Sequence, residues 1–339
     1  MARKIPLKPL LGIDLGGTKI HAVTFLADAG KITVLGTAKR ETRAERGYKA
    51  VLKRIAETAA DSLEDAGLSS KEVAAVGCGA PGPVDAKGTI AVAANLGWKD
   101  RPLGKDLSSL LNRPVTIGND VNCGALGEAT HGSARGTASA FFAFVGTGLG
   151  GALIVDGRIL NGAHGYGGEI GHLPAPFGDQ ICGCGRPGCL ETTASKTGIV
   201  RIIKAEVAAG TRCLLPQFSH ASGGSPPGKS SSGGASLKSK ELKAAWQEKC
   251  PATRAAVSRC GEALAWGLAV VGQTVDPTVF VLGGGVAEAL GPALKPHLLK
   301  GMRERSMLYR RFRPEIRLAA LGDDSVAVGA AVAAMQALA

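Results

Sequence analysis

The sequence predicts an α/β protein built from two related domains. Three observations predict it: the chain length, a strand–glycine turn–strand unit that occurs twice, and amphipathic helical stretches set between strand-like runs. At 339 residues the chain can bury two cores of ordinary domain size. Apolar residues make up 45% and charged residues 20%, a balance that excludes global disorder.

The elements follow in chain order. Pro9–Leu15 is an apolar run ending at Gly16-Gly17, and Ile20–Phe25 is a second run, so the pair reads as a β-hairpin. Tyr48–Ala66 carries apolar residues at helical spacing and stops at Gly67, a suitable C-cap. Val73–Cys78 and Val115–Ile117 read as short buried strands. Phe141–Val145, the turn Gly146–Gly151 and Ala152–Val155 repeat the first hairpin. Val279–Leu282 is a strand that meets Gly283-Gly284-Gly285, with a helix expected through Val286–Leu290. Ala255–Gln273 and Ser325–Leu338 are small-residue apolar helices. Strands alternating with helices give the α/β class. Ser219–Lys240, rich in Gly, Ser, Pro and Lys, lacks the apolar surface to fold alone and is expected to be a flexible insertion.

Bulk properties narrow the function classes. The formal net charge of +12 admits nucleic acid, a membrane surface or an anionic substrate. Aromatics are only 4%, and the basic stretches read as free of interleaved Phe, Tyr or Trp, which argues against a stacking platform for single strands. The expectation is therefore no nucleic-acid partner. The basic start has no apolar stretch of signal-peptide length, and no window approaches the ~18 apolar residues of a membrane span. A cytoplasmic protein with no membrane partner is expected. Eight cysteines in a chain this long do not form a disulfide scaffold, so their clustering needs another explanation.

Backbone N–H groups converge in tight glycine turns and make anion sites. Three such turns in one chain point to phosphate. Two look-alikes are excluded. Gly146–Gly151 matches G-x-G-x-x-G, but that fingerprint needs a following helix and here a strand-like run follows. Gly12–Lys19 nearly matches a P-loop, but its last two residues are in the wrong order and a strand follows. Asp14, at a strand end beside Gly16, Gly17 and Thr18, can hold a magnesium ion through water. A lone Asp there is otherwise a turn cap.

Two further groups carry chemistry. Asn119-Asp120 follows a strand and opens a small-residue stretch. Such a pair ordinarily caps a helix, but a carboxylate at a strand end also suits a base that takes a proton from an alcohol. Cys182-x-Cys184 and Cys189, after His172, offer three thiolates and an imidazole, a set suited to structural zinc. Cys78, Cys123, Cys213, Cys250 and Cys260 are scattered and read as core or surface residues. His164, in the Gly-rich approach to Glu169, reads as structural, with a place in the lining of a site as the alternative.

The chain resembles the ROK family (repressor, open reading frame, kinase). The motifs that carry the resemblance are Asp14-x-Gly16-Gly17-Thr18-Lys19, Gly79–Asp85, Asn119-Asp120-Val121-Asn122, Gly146-Thr147-Gly148-x-Gly150-Gly151 and Glu169-Ile170-Gly171-His172, with the cysteine cluster. They come in the family's order. The resemblance implies an actin-like, hexokinase-like fold of two α/β domains with a cleft between them. It places residues 1–119 with 322–339 in a smaller domain. Residues 120–321 then form a larger one, with a zinc knuckle at 172–191 and the insertion at 219–240.

The resemblance also implies ATP-dependent phosphorylation of glucose or a related hexose, with Asp120 as catalytic base. Asn95, Asn119, Glu169, His172 and Glu191 would contact the sugar. Asp14, Gly16, Gly17, Thr18, Lys19, Thr147, Gly148, Gly283, Gly284 and Gly285 would surround ATP and Mg²⁺. Zn²⁺ would sit on His172, Cys182, Cys184 and Cys189. A homodimer or homotetramer is implied. Rival expectations are another hexose, N-acetylmannosamine, polyphosphate as donor, or a sugar-sensing regulator. The regulator is disfavoured because only about a dozen residues precede Asp14, too few for a helix-turn-helix.

Overall fold

The computed structural model describes residues 8–28, 30–218 and 237–338. The chain opens with β1 (Leu10–Leu15), β2 (Lys19–Asp28) and β3 (Lys31–Glu41), then α1 (Tyr48–Asp65) and β4 (Ala75–Ala80). A small ribbon of β5 (Ile90–Ala93) and β6 (Trp98–Arg101) precedes α2 (Leu103–Leu111), β7 (Val115–Asn119) and α3 (Asp120–His131). There follow β8 (Ser139–Val145), β9 (Leu149–Val155), β10 (Arg158–Ile159), α4 (Lys196–Ala208), α5 (Ser239–Gln247) and α6 (Pro251–Val275). The chain closes with β11 (Val279–Gly283), α7 (Gly285–Arg305), α8 (Met307–Arg311), β12 (Ile316–Leu318) and α9 (Ser325–Gln336).

Two five-stranded sheets run in the orders β3-β2-β1-β4-β7 and β10-β9-β8-β11-β12. The first sheet is mixed: β1 pairs antiparallel with β2 and parallel with β4, which pairs parallel with β7. Both expected hairpins formed. A strand, not a helix, follows the glycine turn of each hairpin, so the dinucleotide and P-loop look-alikes are excluded by the backbone itself.

Contacts divide the described chain into two compact units. One holds the chain up to Ala140 with Ala152–Gly168 and Ala319–Ala339, and the other holds Phe141–Gly151 with Glu169–Leu318. The first unit's core contains Leu11, Ile13, Leu15, Val51, Ile55 and Leu107. Its helix α9 reads SVAVGAAVAAMQ and is buried almost all round. The small residues let it lie flat on the sheet: a Cβ at Gly12 or Gly77 would strike the carbonyls of Ala327 or Ala330. On its other side, a Cβ at Gly329 would strike the Cys123 carbonyl of α3. Close backbone approach therefore replaces side-chain interdigitation at this interface.

Two expectations need correction. The helix after Gly285 does not stop at Leu290. It continues to Arg305 through Pro292 and Pro296, because Leu294, Leu298 and Met302 are buried along it, and that packing offsets the lost backbone bonds. The expected insertion also ends sooner. Residues 219–236 lie outside the described residues, whereas Ser239 and Lys240 already belong to α5. Glu241 accepts a bond from the Lys238 N–H (2.6 Å) and Leu242 is buried, so the helix is nucleated inside the polar stretch.

Candidate active site

Each unit contributes its own set of the residues singled out above. In the first unit, Asp14 is the penultimate residue of β1, in register with His21 on β2 and Gly79 on β4. A Cβ at Gly79 would come 3.6 Å from the Asp120 Cα, so the absent side chain lets the start of α3 approach the strand end. Asp14 and Asp120 are thus brought together across β4. Burial, and then the Asp120 charge, push the Asp14 carboxyl up to about 7, with Lys19 pulling the other way and Asp323 adding to the rise. No hydrogen bond reaches the Asp14 side chain among the described residues, so it is not a turn cap.

The Asn119-Asp120 pair is a helix cap and something more. Asn119 is the N-cap of α3, and its Oδ1 accepts from the Asn122 N–H (3.1 Å). Its Nδ2 donates to the Gly82 carbonyl (3.1 Å) and to Asp120 Oδ1 (3.2 Å). The same Oδ1 accepts the Val121 N–H at 2.8 Å. The cap therefore fixes the Asp120 carboxylate. Asn122, quoted in the motif but given no role, donates to Asn161 Oδ1 at 3.2 Å. Asp85 accepts from the N–H groups of Lys87 and Thr89 and shapes its own turn.

The first glycine turn is closed by the Gly16 N–H on the Lys19 carbonyl (2.9 Å), and Thr42 ties it down through bonds involving Thr18 and Gly16. Asn95 packs on Gly17, where a Cβ would lie 3.0 Å from its amide nitrogen. Thr18 is exposed. The Lys19 ammonium is held by Asp323 at 2.9 Å, which also takes Lys39 at 3.1 Å.

In the second unit, the turn at 146–151 is anchored by α4. The Lys196 N–H donates to the Gly146 carbonyl (2.9 Å) and the Thr197 hydroxyl to the Thr147 carbonyl (2.8 Å). Glu191 reaches the turn: its Oε2 accepts the Leu149 N–H at 3.2 Å, and a Cβ at Gly148 would come within 2.6 Å of that oxygen. Its Oε1 accepts the Cys182 thiol at 3.0 Å. The Gly283–Gly285 turn opens α7. Gly284 has φ of 81° and packs on the Val145 backbone, and no side chain caps the helix N-terminus. First-turn N–H groups there are oriented for an anion.

The ligand atoms of His172, Cys182, Cys184 and Cys189 all lie within 4.8 Å of one another. Cys184 and Cys189 sulfurs are 3.6 Å apart, as are the Cys182 sulfur and His172 Nδ1. Sulfurs on tetrahedral zinc sit about 3.7 Å apart for a 2.3 Å bond, so the donor set fits that ion. His172 Nε2 lies 4.0 Å from the Glu169 carboxylate, too far for a direct hydrogen bond, while Nδ1 is the nitrogen on the Cys182 side. His164 is exposed. The scattered cysteines include one pair the spacing did not reveal: Cys213 and Cys250 are buried with sulfurs 3.8 Å apart.

Two glycine-turn units with paired carboxylates and a histidine–cysteine quartet define the class, and sequence comparison places the chain in it. The ROK family pattern matches residues 10–337, and the chain belongs to the ROK family. It is 33% identical over 94% of its length to a glucokinase of Halalkalibacterium halodurans, covering 92% of that protein. It is 28% identical over 94% of its length to a xylose repressor of Caldicellulosiruptor bescii, covering 76% of it. Among solved structures, it matches a ROK family glucokinase from Streptomyces griseus in complex with glucose and AMPPNP. That match has a TM-score of 0.79 and 28% identity, covering 97% of this chain and 99% of that one. The fold is the actin-like, hexokinase-like α/β fold. No helix among the described residues is long and apolar enough to cross a membrane.

Proposed function

We propose that the chain is an ATP-dependent hexose kinase acting on the 6-hydroxyl of glucose. The observation that carries this reading is the Asp120 carboxylate, held by Asn119 and the Val121 N–H at the start of α3 and electrostatically coupled to Asp14. Phosphoryl transfer to an alcohol needs a carboxylate that orients the hydroxyl and accepts its proton, with a second acidic group near the metal that accompanies the phosphates. Asp120 suits the first role and Asp14 the second. Mg²⁺ arriving with ATP would favour the ionised form of Asp14 that burial opposes. The Gly16–Thr18, Thr147-Gly148 and Gly283–Gly285 turns would present N–H groups to the nucleotide, with Lys19 exchanging Asp323 for phosphate.

Asn95, Asn119, Glu169, His172 and Glu191 would hold the sugar hydroxyls. Zinc on the quartet would orient His172 through Nδ1 and leave Nε2 toward Glu169 and the sugar. Coordination of Cys182 as thiolate removes the proton it shares with Glu191, which frees Oε1 to accept from a sugar hydroxyl. The similarity to glucokinases supports glucose as the substrate.

A coupled assay with glucose, mannose, fructose and N-acetylmannosamine at fixed ATP tests the assignment, with polyphosphate as an alternative donor. Glucose is expected to give the highest kcat/KM with ATP. Turnover of none of these sugars, together with salt-sensitive binding to a specific DNA sequence, would favour a regulator of the kind named for the xylose repressor.

A further inference from the structure

The second unit carries a groove of about 1040 Å³ that the proposed reaction leaves unused. Lys300, Arg303, Arg310, Arg311 and Arg313 line it, against a single carboxylate, Glu304. Glu304 is engaged by Lys300 (3.9 Å) and Arg305 (3.7 Å). Among the described residues no carboxylate pairs with Arg303, Arg310, Arg311 or Arg313. Four guanidinium groups on one concavity repel one another, and among the described residues no ion pair offsets them. The reading that no basic stretch is interleaved with aromatics is thereby corrected. Tyr309-Arg310-Arg311-Phe312-Arg313 is such a stretch.

The groove is held rigidly. Tyr309 is buried, stacks edge-on against Phe280 (6.1 Å between centroids) and packs on Gly272. Pro314 is buried beside it. This anchor presents the arginines while leaving their heads in water. Nor does the groove belong to the nucleotide turns: Arg303 lies 18 residues along α7 from Gly285, about 27 Å at 1.5 Å per residue.

We propose that this groove binds a small molecule carrying two or more phosphate groups, at a site separate from catalysis. Arginine forks match phosphate oxygens bidentately, and four of them exceed what one orthophosphate can engage. The volume is that of a small-molecule pocket. A nucleic-acid strand would need successive stacking faces, whereas the groove offers one exposed ring, Phe312, with the Arg311 guanidinium 5.6 Å from its centre.

The test is calorimetric titration of the full chain with sodium tripolyphosphate, a hexose 1,6-bisphosphate and orthophosphate. A tripolyphosphate response points to a condensed chain, and a bisphosphate response to phosphates spread over a carbon skeleton. One of the two is expected to bind at least tenfold tighter than orthophosphate. The variant R310Q/R311Q/R313Q should lose that binding by tenfold or more while its kcat with sugar and ATP stays within twofold. Should the triple variant fail to fold, Arg310→Gln and Arg311→Gln singly, both on exposed side chains, are each expected to weaken binding at least threefold. Unchanged binding in the variants, or no preference over orthophosphate, overturns the proposal. So does tighter binding of a single-stranded RNA oligonucleotide at the same arginines.

Discussion

Asp14 and Asp120 are brought together at Gly79 in the first unit, and the Asp120 charge adds to burial in raising the Asp14 carboxyl. Between the ordinary carboxyl value of 3.8 and about 7, the folded chain keeps a proton on Asp14 that the unfolded chain has released. Stability from this group is therefore full below about pH 4 and is lost as pH rises through 7. Asp14→Asn should flatten that loss, narrowing the difference in urea midpoint between pH 5 and pH 8. A variant whose pH profile parallels the parent would refute the coupling.

Asp120→Asn separates catalysis from stability. Loss of the base is expected to lower kcat by two to four orders of magnitude. Removing the Asp120 charge also lowers the Asp14 carboxyl value, so the ligand-free variant should unfold at a higher urea concentration than the parent at pH 8. Near-normal turnover would remove Asp120 from the mechanism.

Metal analysis is expected to find about one zinc per chain. Cys189→Ser should reduce that content and lower the melting temperature, since structural zinc contributes directly to folding. Sugar KM should rise as well, because the Cys182 thiol would again occupy Glu191. Full activity and an unchanged melting temperature after chelation would exclude a structural ion.

Glu128 is fully buried, and its carboxylate accepts three backbone N–H groups, from Ser133 (2.8 Å), Ala320 (2.8 Å) and Leu321 (2.7 Å). Glu128→Ala strands those donors and should cost roughly 3 kcal/mol or more of stability, with Glu128→Gln costing less. Denaturant titration reads both. A loss below about 1 kcal/mol would mean that water replaces the carboxylate.

Much of the site was legible because its signals are local. A hairpin with a glycine turn is written in consecutive residues, and so are the Asn119–Asn122 cap and the cysteine spacing. What escaped depends on residues far apart in the chain. Glu128 meets the N–H groups of residues 320 and 321. Cys213 meets Cys250. Pro292 and Pro296 read as helix breakers, yet α7 runs through them on the strength of its buried face. The arginine groove escaped for another reason: net charge averages over the whole chain and hides where cations gather.

Helix α9 has a consequence for synthesis. Its backbone fills the layer against β1, β4 and α3, which are made some two hundred residues or more earlier. A nascent chain still tethered at residue 320 has the first sheet without its cover, and an apolar surface open to chaperones. The first unit can mature only after the segment 325–336 has left the ribosome, even though most of its residues emerge first.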